Sequence, residues 1–570
     1  MKLLDTTLRD GNQVIRPGMS HKPDDQVEQF RQYALAASDF GMQYVEAGIP
    51  IAGPRSQRVV HAIAEDHRDR AQTSILGFSR AKKGEIDLVA QTVQPAARRG
   101  IALLTSVSDF QMDKFGAVAG QEIADKRSQM LKVFGESVRH AKDQDIQDLL
   151  VYLEDSTRAD VQYLLDLCAA YIEEGATIIS VPDTVGHMND PEAYLDLLQR
   201  LQEETPGSES VEWSVHLHND RGIAVATALL AAKRNLMSIV EGTINGEGER
   251  SGNMPLSTYL LNTHVDGMAT YPEHARMEGL TAEGLTKLDL LSGLGSNALR
   301  IPRSAYMPGH GRFSHKTAAG MHQDGILKNP FMFASYDPKV IGVDIDTPFV
   351  YSDQSGRKGL RAILEAQGVT LTDEQLDRAN ADAYQMAVLL GGRVTDSLLH
   401  ATAWESKRNG DPLFVQVHNF DDVDIRYEQR TVANGTVKGK SKRIVHVTAP
   451  VTVGGEAQIL EGKGNGPTSA FVAGLNDIME DTYGISVDVD KWVERAVTHD
   501  DASVEPGQSE DAPGREASVW GFARMHVGAD ALDGYGHDFN ATFASMKSCL
   551  QAVNHWCSVQ EQNETPAALA

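Results

Sequence analysis

The sequence predicts an α/β protein: a (β/α)8 TIM barrel, then a helical linker and a C-terminal α+β domain. Three observations predict it. Eight short β-rich runs alternate with amphipathic helical stretches over residues 1–270. Polar residues cluster at the C-terminal ends of those runs, where barrel sites are built. Beyond residue 411 the pattern changes to alternating strands of antiparallel type. A doubly wound open sheet is the competing architecture, and the placement of the polar clusters favours the barrel.

The eight runs are KLLD (2–5), QYVEAG (43–48), TSILGFS (73–79), IALLTSVS (101–108), LLVYLED (149–155), TIISVPD (177–183), WSVHLH (213–218) and SIVEGTIN (238–245). Between them, stretches such as DDQVEQFRQYALAASDFG and VQYLLDLCAAYIEEGA repeat apolar residues at three- and four-residue spacing, the period of a helix packed on one face. Residues 271–410 read as helical linker subdomains, with EQLDRANADAYQMAVLLGGRV the clearest helix. Residues 411–557 read as a further domain with an internal duplication. FVQVHNFDD, KRIVHVTAPVTV and EAQILEG alternate as strands before GNGPTSAFVAGLNDIMED opens a helix, and SVWGFARMHVG with GYGHDFNATFASMKSCLQAVNHW repeats the plan. Residues 499–518, acidic and rich in Ser, Pro and Gly, predict a disordered insertion, and 558–570 a loose tail.

Hydrophobic residues make up 41% and charged residues 23%, the profile of a soluble globular protein. A formal charge of −26 argues against nucleic acid and against anionic membranes as partners. The three cysteines (Cys168, Cys549, Cys557) are scattered, which suits reduced thiols rather than a disulfide framework. No apolar run approaches the roughly 20 residues of a membrane span, and MKLLDTTLRDG enters folded-looking sequence at once. A cytoplasmic location is expected.

Chemistry gathers at strand ends. In VHLHND, His216 and His218 stand two apart and share one face of the seventh strand. In LDTTLRDGNQ, Asp10 lies just past the first strand, near the seventh in a closed barrel. Two imidazoles and a carboxylate leave about three open positions on an octahedral divalent ion, room for water and a chelating 2-oxo acid. The same ligand set suits a non-haem iron oxygenase. Arg9 adjoins Asp10, at a place suited to polarising a ketone oxygen. Glu46 ends the second strand, Glu154 and Arg158 the fifth, and Thr184 the sixth. Five polar ends converging on one mouth favour a site over scattered hydrogen-bonding groups.

LDTTLRDGNQ, VEAGIP, LEDSTR, VPDTVG, VHLHND and EGTINGEGERSGN follow one another in an order that resembles the DRE-TIM metallolyases, most closely the 2-isopropylmalate synthase and homocitrate synthase branch. GMHQDGILKNP (320–330) is similar to the segment after the barrel in that branch, and GKGNGPTSAFVAGLN and GHDFNATFASMKSCLQAVN resemble halves of its leucine-sensing dimer domain. The resemblance runs from residue 3 to about 556. It implies a metal-dependent Claisen condensation of acetyl-CoA with a 2-oxo acid, 3-methyl-2-oxobutanoate first among the candidates. It implies Asp10, His216 and His218 as metal ligands with Asn253 beside the ion, magnesium or manganese being expected and zinc the further option. It implies Arg9 at the ketone oxygen, Glu46, Arg158 and Thr184 around the substrate, and Glu154 and His322 moving protons. A homodimer with leucine as effector follows from the same likeness. Citramalate synthase, homocitrate synthase and a catalytically impaired leucine-binding homologue are the alternatives.

The stretch NGEGERSGN lacks the cysteine that related hydroxymethylglutaryl-CoA lyases place there, which points to a synthase. Three departures from the family pattern bear on substrate choice and activity. Gln111 stands in SDFQ where the family often has His. Phe333 stands where a tyrosine is expected, with Tyr336 three residues on. KTAA lengthens the spacing between His315 and Gly320.

Overall fold

The computed structural model describes residues 1–14, 23–112, 121–266, 271–408, 413–417, 419–431, 441–497, 518–538 and 540–564. They form two compact units: Met1–His315 with Ala334–Ile345, and Lys316–Phe333 with Asp346–Ala570. The expected linker, 271–410, is therefore divided between them.

The first unit is the expected barrel. Its strands are β1 (Lys2–Asp5), β2 (Tyr44–Gly48), β3 (Ser74–Arg80), β4 (Arg99–Ser106), β5 (Asp148–Glu154), β6 (Ile178–Asp183), β7 (Glu212–Leu217) and β8 (Ile239–Gly242). Every neighbouring pair is parallel, and β8 pairs with β1 to close the ring. The helices that follow the strands in turn are α1 (Pro23–Phe40), α2 (Pro54–Asp66), α3 (Lys83–Val93), α4 (Ile123–Lys142), α5 (Val161–Glu173), α6 (Pro191–Glu204), α7 (Ala224–Lys233) and α8 (Leu256–His264). Local chemistry fixes their starts. Asp190 accepts from the Glu192 N–H with Pro191 at the first helical position, and Asp160 accepts from the Tyr163 N–H.

Strands buried on both faces read as continuous apolar runs, and here they carry two cores. Leu4, Tyr44, Leu76, Ala102, Leu150, Tyr152, Ile178 and Ile239 fill the barrel interior. A larger layer lies between strands and helices, with Leu3, Val45, Ile63, Leu103, Leu164 and Leu198 among its fully buried members. Two further helices, α9 (Ala282–Leu285) and α10 (Leu288–Leu299), belong to this unit, and α10 packs on α1.

In the second unit, α11 (Gly320–Lys328) precedes α12 (Arg357–Ala366), α13 (Asp373–Leu390) and α14 (Asp396–Arg408). A capping box of Thr372 and Gln375 starts α13, and Gly391, in the left-handed region, ends it. Two sheets follow. The strands β9 (Val415–Val417), β10 (Asp424–Thr431), β11 (Ser441–Val453) and β12 (Glu456–Gly464) make one, covered by α15 (Pro467–Tyr483). The strands β13 (Val487–Val497), β14 (Ser518–Val527) and β15 (Asp530–Asp538) make the other, covered by α16 (Ala541–Glu564). Both halves feed one core, in which Leu460 and Phe471 meet Met525 and Val553. The segment 499–518 lies outside the described residues apart from Ser518, which opens β14. The helix α16 continues to Glu564, into the stretch expected to be loose, and 565–570 are outside the described residues. Among the described residues no helix is long and apolar enough to cross a membrane.

Candidate active site

The turn after β1 is tight. The N–H groups of Arg9, Asp10 and Gly11 all reach the Thr6 carbonyl, while the Thr6 N–H donates to Gly242 on β8. This anchors Arg9 and Asp10 at the β1–β8 seam. From β7, His216 and then His218 arrive on the same face, their rings 5.2 Å apart. His218 also pairs by backbone with Asn253, so the loop after β8 is laced to the end of β7. Gly252 makes that lacing sharp. Its φ is +84°, and a Cβ there would sit 2.0 Å from the Gly246 carbonyl oxygen.

Ligand atoms of Asp10, His216 and His218 lie within 4.8 Å of one another, and all three residues are buried. Asp10 Oδ2 is 3.1 Å from His216 Nε2 and 3.7 Å from His218 Nε2, yet it has no hydrogen-bond partner. Asn253 Oδ1 is equally without one, although its amide donates to the Glu247 carbonyl at 3.0 Å. Burial alone would raise the Asp10 carboxyl, but Arg9 and the two histidines hold it well below the usual carboxylate range. Burial, then His216 beside it, pushes His218 down to about 4, so it stays neutral. An ionised carboxylate and a neutral imidazole are the forms in which such groups bind metals.

Around this triad runs a buried polar layer. Arg9 Nε donates to Glu46 Oε2 at 2.7 Å, Nη1 lies 3.3 Å from Asp10 Oδ1, and Nη2 donates to the Tyr152 hydroxyl at 3.2 Å. The guanidinium also stacks 5.0 Å from the Phe78 ring. The Tyr152 hydroxyl donates to Glu241 Oε2 at 2.8 Å, and that oxygen meets His216 Nδ1 at 3.2 Å. Burial works against charge on His216, but contacts with Asp10 and Glu241 raise it to about 9. Asp10, Glu46 and Glu241, three carboxyl groups, share this pocket with the Arg9 guanidinium and the His216 ring. The donor set fits a cation: a carboxylate oxygen and an amide oxygen without partners, beside two imidazoles.

The other expected residues lie at neighbouring strand ends. Glu154 accepts from Ser106 Oγ across the β4–β5 pair. Thr184 Oγ1 accepts the Asp155 N–H at 2.9 Å, and Asp155 itself adopts a left-handed φ of 69°. Arg158 is engaged with Asp155 at 2.7 Å and lies over the Phe110 ring. His322 belongs to the second unit, where its ring stacks on Phe333 at 4.1 Å. Tyr336 belongs to the first, edge-on to His315 at 5.5 Å. Sequence reasoning missed Glu241 and Tyr152. Tyr152 stands two residues before Glu154 and so shares its inward face, and Glu241 is the single acidic residue of an otherwise apolar strand, in register with His216.

Two family profiles match: HMGL-like over residues 1–281, and homocitrate synthase post-HMGL domain-like over 308–388. A 2-isopropylmalate synthase of Prochlorococcus marinus is 31% identical over 492 residues, 84% of either chain. The chain belongs to the 2-isopropylmalate synthase family. It is an acyl-transferring enzyme. Another family member, from Listeria monocytogenes, is 28% identical over 97% of this chain and 96% of its own. A third, from a Synechococcus, is 32% identical over 68% of this chain and 69% of its own. The HMGL-like match, over residues 1–281, spans all eight strands of the barrel.

Proposed function

We propose that the enzyme condenses acetyl-CoA with 3-methyl-2-oxobutanoate to give 2-isopropylmalate and free coenzyme A. The observation that carries this reading is the buried Asp10–His216–His218 cluster with Arg9 beside it. In this assignment Asp10, His216, His218 and Asn253 hold a divalent ion, magnesium, manganese or zinc, which when bound supplies Lewis acidity to a ketone oxygen. Arg9, kept charged by Glu46 and Asp10, presents its guanidinium to the same oxygen as negative charge develops. Thr184 and Arg158 receive the oxo-acid carboxylate.

The Glu154 carboxylate takes a proton from the thioester methyl, a weak carbon acid that needs a positioned base. The methyl carbon then bonds to the ketone carbon, and the former ketone oxygen gains a proton, with His322 as the second proton carrier. Water cleaves the thioester, releasing the coenzyme A thiol and leaving a carboxylate.

Phe78 supports the choice of acid. It is half-buried two residues before the end of β3, with its ring against Arg9 and 6.4 Å from that of Tyr152. An apolar wall suits a branched alkyl group better than the second carboxylate of 2-oxoglutarate, whose desolvation is costly. Residues 411–557 act as the regulatory domain of a homodimer in this reading, with leucine as effector. The shared core of the two strand–helix repeats supports a single folded sensor.

The test is thiol release from acetyl-CoA with magnesium or manganese against 3-methyl-2-oxobutanoate, pyruvate, 2-oxobutanoate and 2-oxoglutarate, with and without leucine. Turnover of 3-methyl-2-oxobutanoate, inhibited by leucine, is expected. Preference for another acid overturns the substrate assignment, and no release with any acid overturns the synthase reading.

A further inference from the structure

We infer that Glu241 is a positioning residue for the metal site, holding His216 in one tautomer and one orientation from within a closed ring of buried side chains. The inference rests on the metal reading above and concerns residues outside the ligand set. The ring runs Asp10–Arg9–Tyr152–Glu241–His216 and returns to Asp10. Its contacts are 3.3 Å (Asp10 Oδ1 to Arg9 Nη1), 3.2 Å (Arg9 Nη2 to the Tyr152 hydroxyl), 2.8 Å (that hydroxyl to Glu241 Oε2), 3.2 Å (Glu241 Oε2 to His216 Nδ1) and 3.1 Å (His216 Nε2 to Asp10 Oδ2). Its members come from the β1 turn, β5, β8 and β7, so the ring ties distant parts of the barrel together at one depth.

Glu241 is its anchor. The residue is fully buried, and three donors converge on it: Ser214 Oγ on Oε1 at 2.5 Å, and the Tyr152 hydroxyl and His216 Nδ1 on Oε2. An acceptor that already takes two hydroxyl protons obliges His216 to carry its proton on Nδ1. A cation at the site would then displace only the Nε2 proton, leaving that nitrogen's lone pair beside Asp10 Oδ2, the atom that lacks a partner. Through Tyr152 the same carboxylate also fixes the Arg9 guanidinium, so one residue sets both the metal-ligating imidazole and the cation beside it.

The experiment is a manganese titration of the full-length protein, free manganese being read by electron paramagnetic resonance. It compares the parent with Glu241→Gln, Tyr152→Phe and Ser214→Ala, with melting curves alongside. Glutamine keeps the shape but offers one acceptor oxygen in place of two, so Glu241→Gln is expected to raise the manganese Kd about 10–100-fold. Saturating manganese should restore kcat to within a few-fold. Tyr152→Phe and Ser214→Ala each remove one donor and leave the carboxylate in place, with a several-fold rise expected. They also carry the test if Glu241→Gln does not fold. A purely structural role would lower the melting temperature and leave the manganese Kd of the folded protein unchanged. Parent-like Kd values, within twofold, would therefore overturn the positioning role. A parent that binds no manganese would overturn the metal reading and this inference with it.

Discussion

Replacing Arg9 by methionine tests whether the acidic pocket depends on its single guanidinium. Arg9 is 8% exposed and Glu46 not at all, so solvent screens little of their 2.7 Å contact. Methionine fills much of the volume but leaves Glu46 Oε2 and Asp10 Oδ1 without their cation, and Glu46 Oε1 already lacks a partner. Breaking one side of a buried ion pair costs about 3–5 kcal/mol, most of it the uncompensated charge. Adding Glu46→Gln removes that charge, so the double variant should recover about 1–3 kcal/mol of the loss, the size of coupling seen between touching groups. A chain of two units does not give one global unfolding free energy. The assay is therefore hydrogen exchange read on peptides from β1, β2 and β5, which reports the opening of the barrel alone. Activity should separate from stability. The single variant is expected to lose on the order of 10²–10³ in kcat, and the double variant not to regain it, because the donor proposed for the ketone oxygen would still be missing. Arg9→Met within about 1 kcal/mol of the parent would refute the electrostatic argument, since it requires a large penalty for an uncompensated buried charge. So would a double variant no more stable than the single.

Gly252→Ala should damage the site more than the fold. The methyl group would meet the Gly246 carbonyl oxygen at 2.0 Å in a left-handed conformation, strain of about 1–3 kcal/mol that the loop relieves by moving Asn253. A manganese Kd raised at least about 10-fold is the expected outcome, with barrel exchange rates near those of the parent. Chelation should loosen the barrel, because an ion at a hundredfold its Kd stabilises the folded state by about 2.7 kcal/mol. Exchange at β1 and β7 should speed up on chelation and slow again when manganese is restored. His264 adds a pH dependence remote from the site. Burial depresses it from 6.5 to about 4, and its Nε2 accepts the Met277 N–H at 3.1 Å. The unfolded chain therefore binds a proton between those values while the folded chain does not. Stability present above pH 6.5 is lost as pH falls toward 4. His264→Gln should flatten that part of the profile, read by exchange at residues 256–277.

The barrel was legible because a strand covered on both faces must be a continuous apolar run and its helices must repeat at 3.6 residues. Strand ends were less so. SIVEGTIN reads as one run to Asn245, yet β8 stops at Gly242, because Thr243 pairs by a single bridge with Pro255 and the Ile244 N–H turns to the Thr7 hydroxyl. At the site, His216 and His218 were legible through their period of two, and Asp10 through its place after a strand. Glu241 was not. Within an apolar strand its meaning depends on register, and only the pairing of β7 with β8 sets it opposite His216. Tyr152 had the look of core, since its ring does pack among the interior aliphatics while only its hydroxyl enters the polar layer.

That double character explains how the barrel tolerates its acidic mouth. Asp10 Oδ2, Glu46 Oε1, His218 Nδ1 and Asn253 Oδ1 are all buried without hydrogen-bond partners. Such atoms cost free energy wherever they occur, and several at one end of one barrel mark a place held against the preference of the fold. Beneath them, Leu4, Tyr44, Leu76, Leu150 and Ile178 fill the interior with apolar side chains. The apolar layer supplies rigidity, and the ring of Arg9, Tyr152, Glu241 and His216 transmits it upward as fixed geometry. The unpartnered oxygens cannot relax by turning toward one another, because each is held by its other contacts: Asp10 by Arg9, Glu46 by Arg9, Asn253 by the Glu247 carbonyl. A bound cation and the substrate oxygen are the groups that would satisfy them.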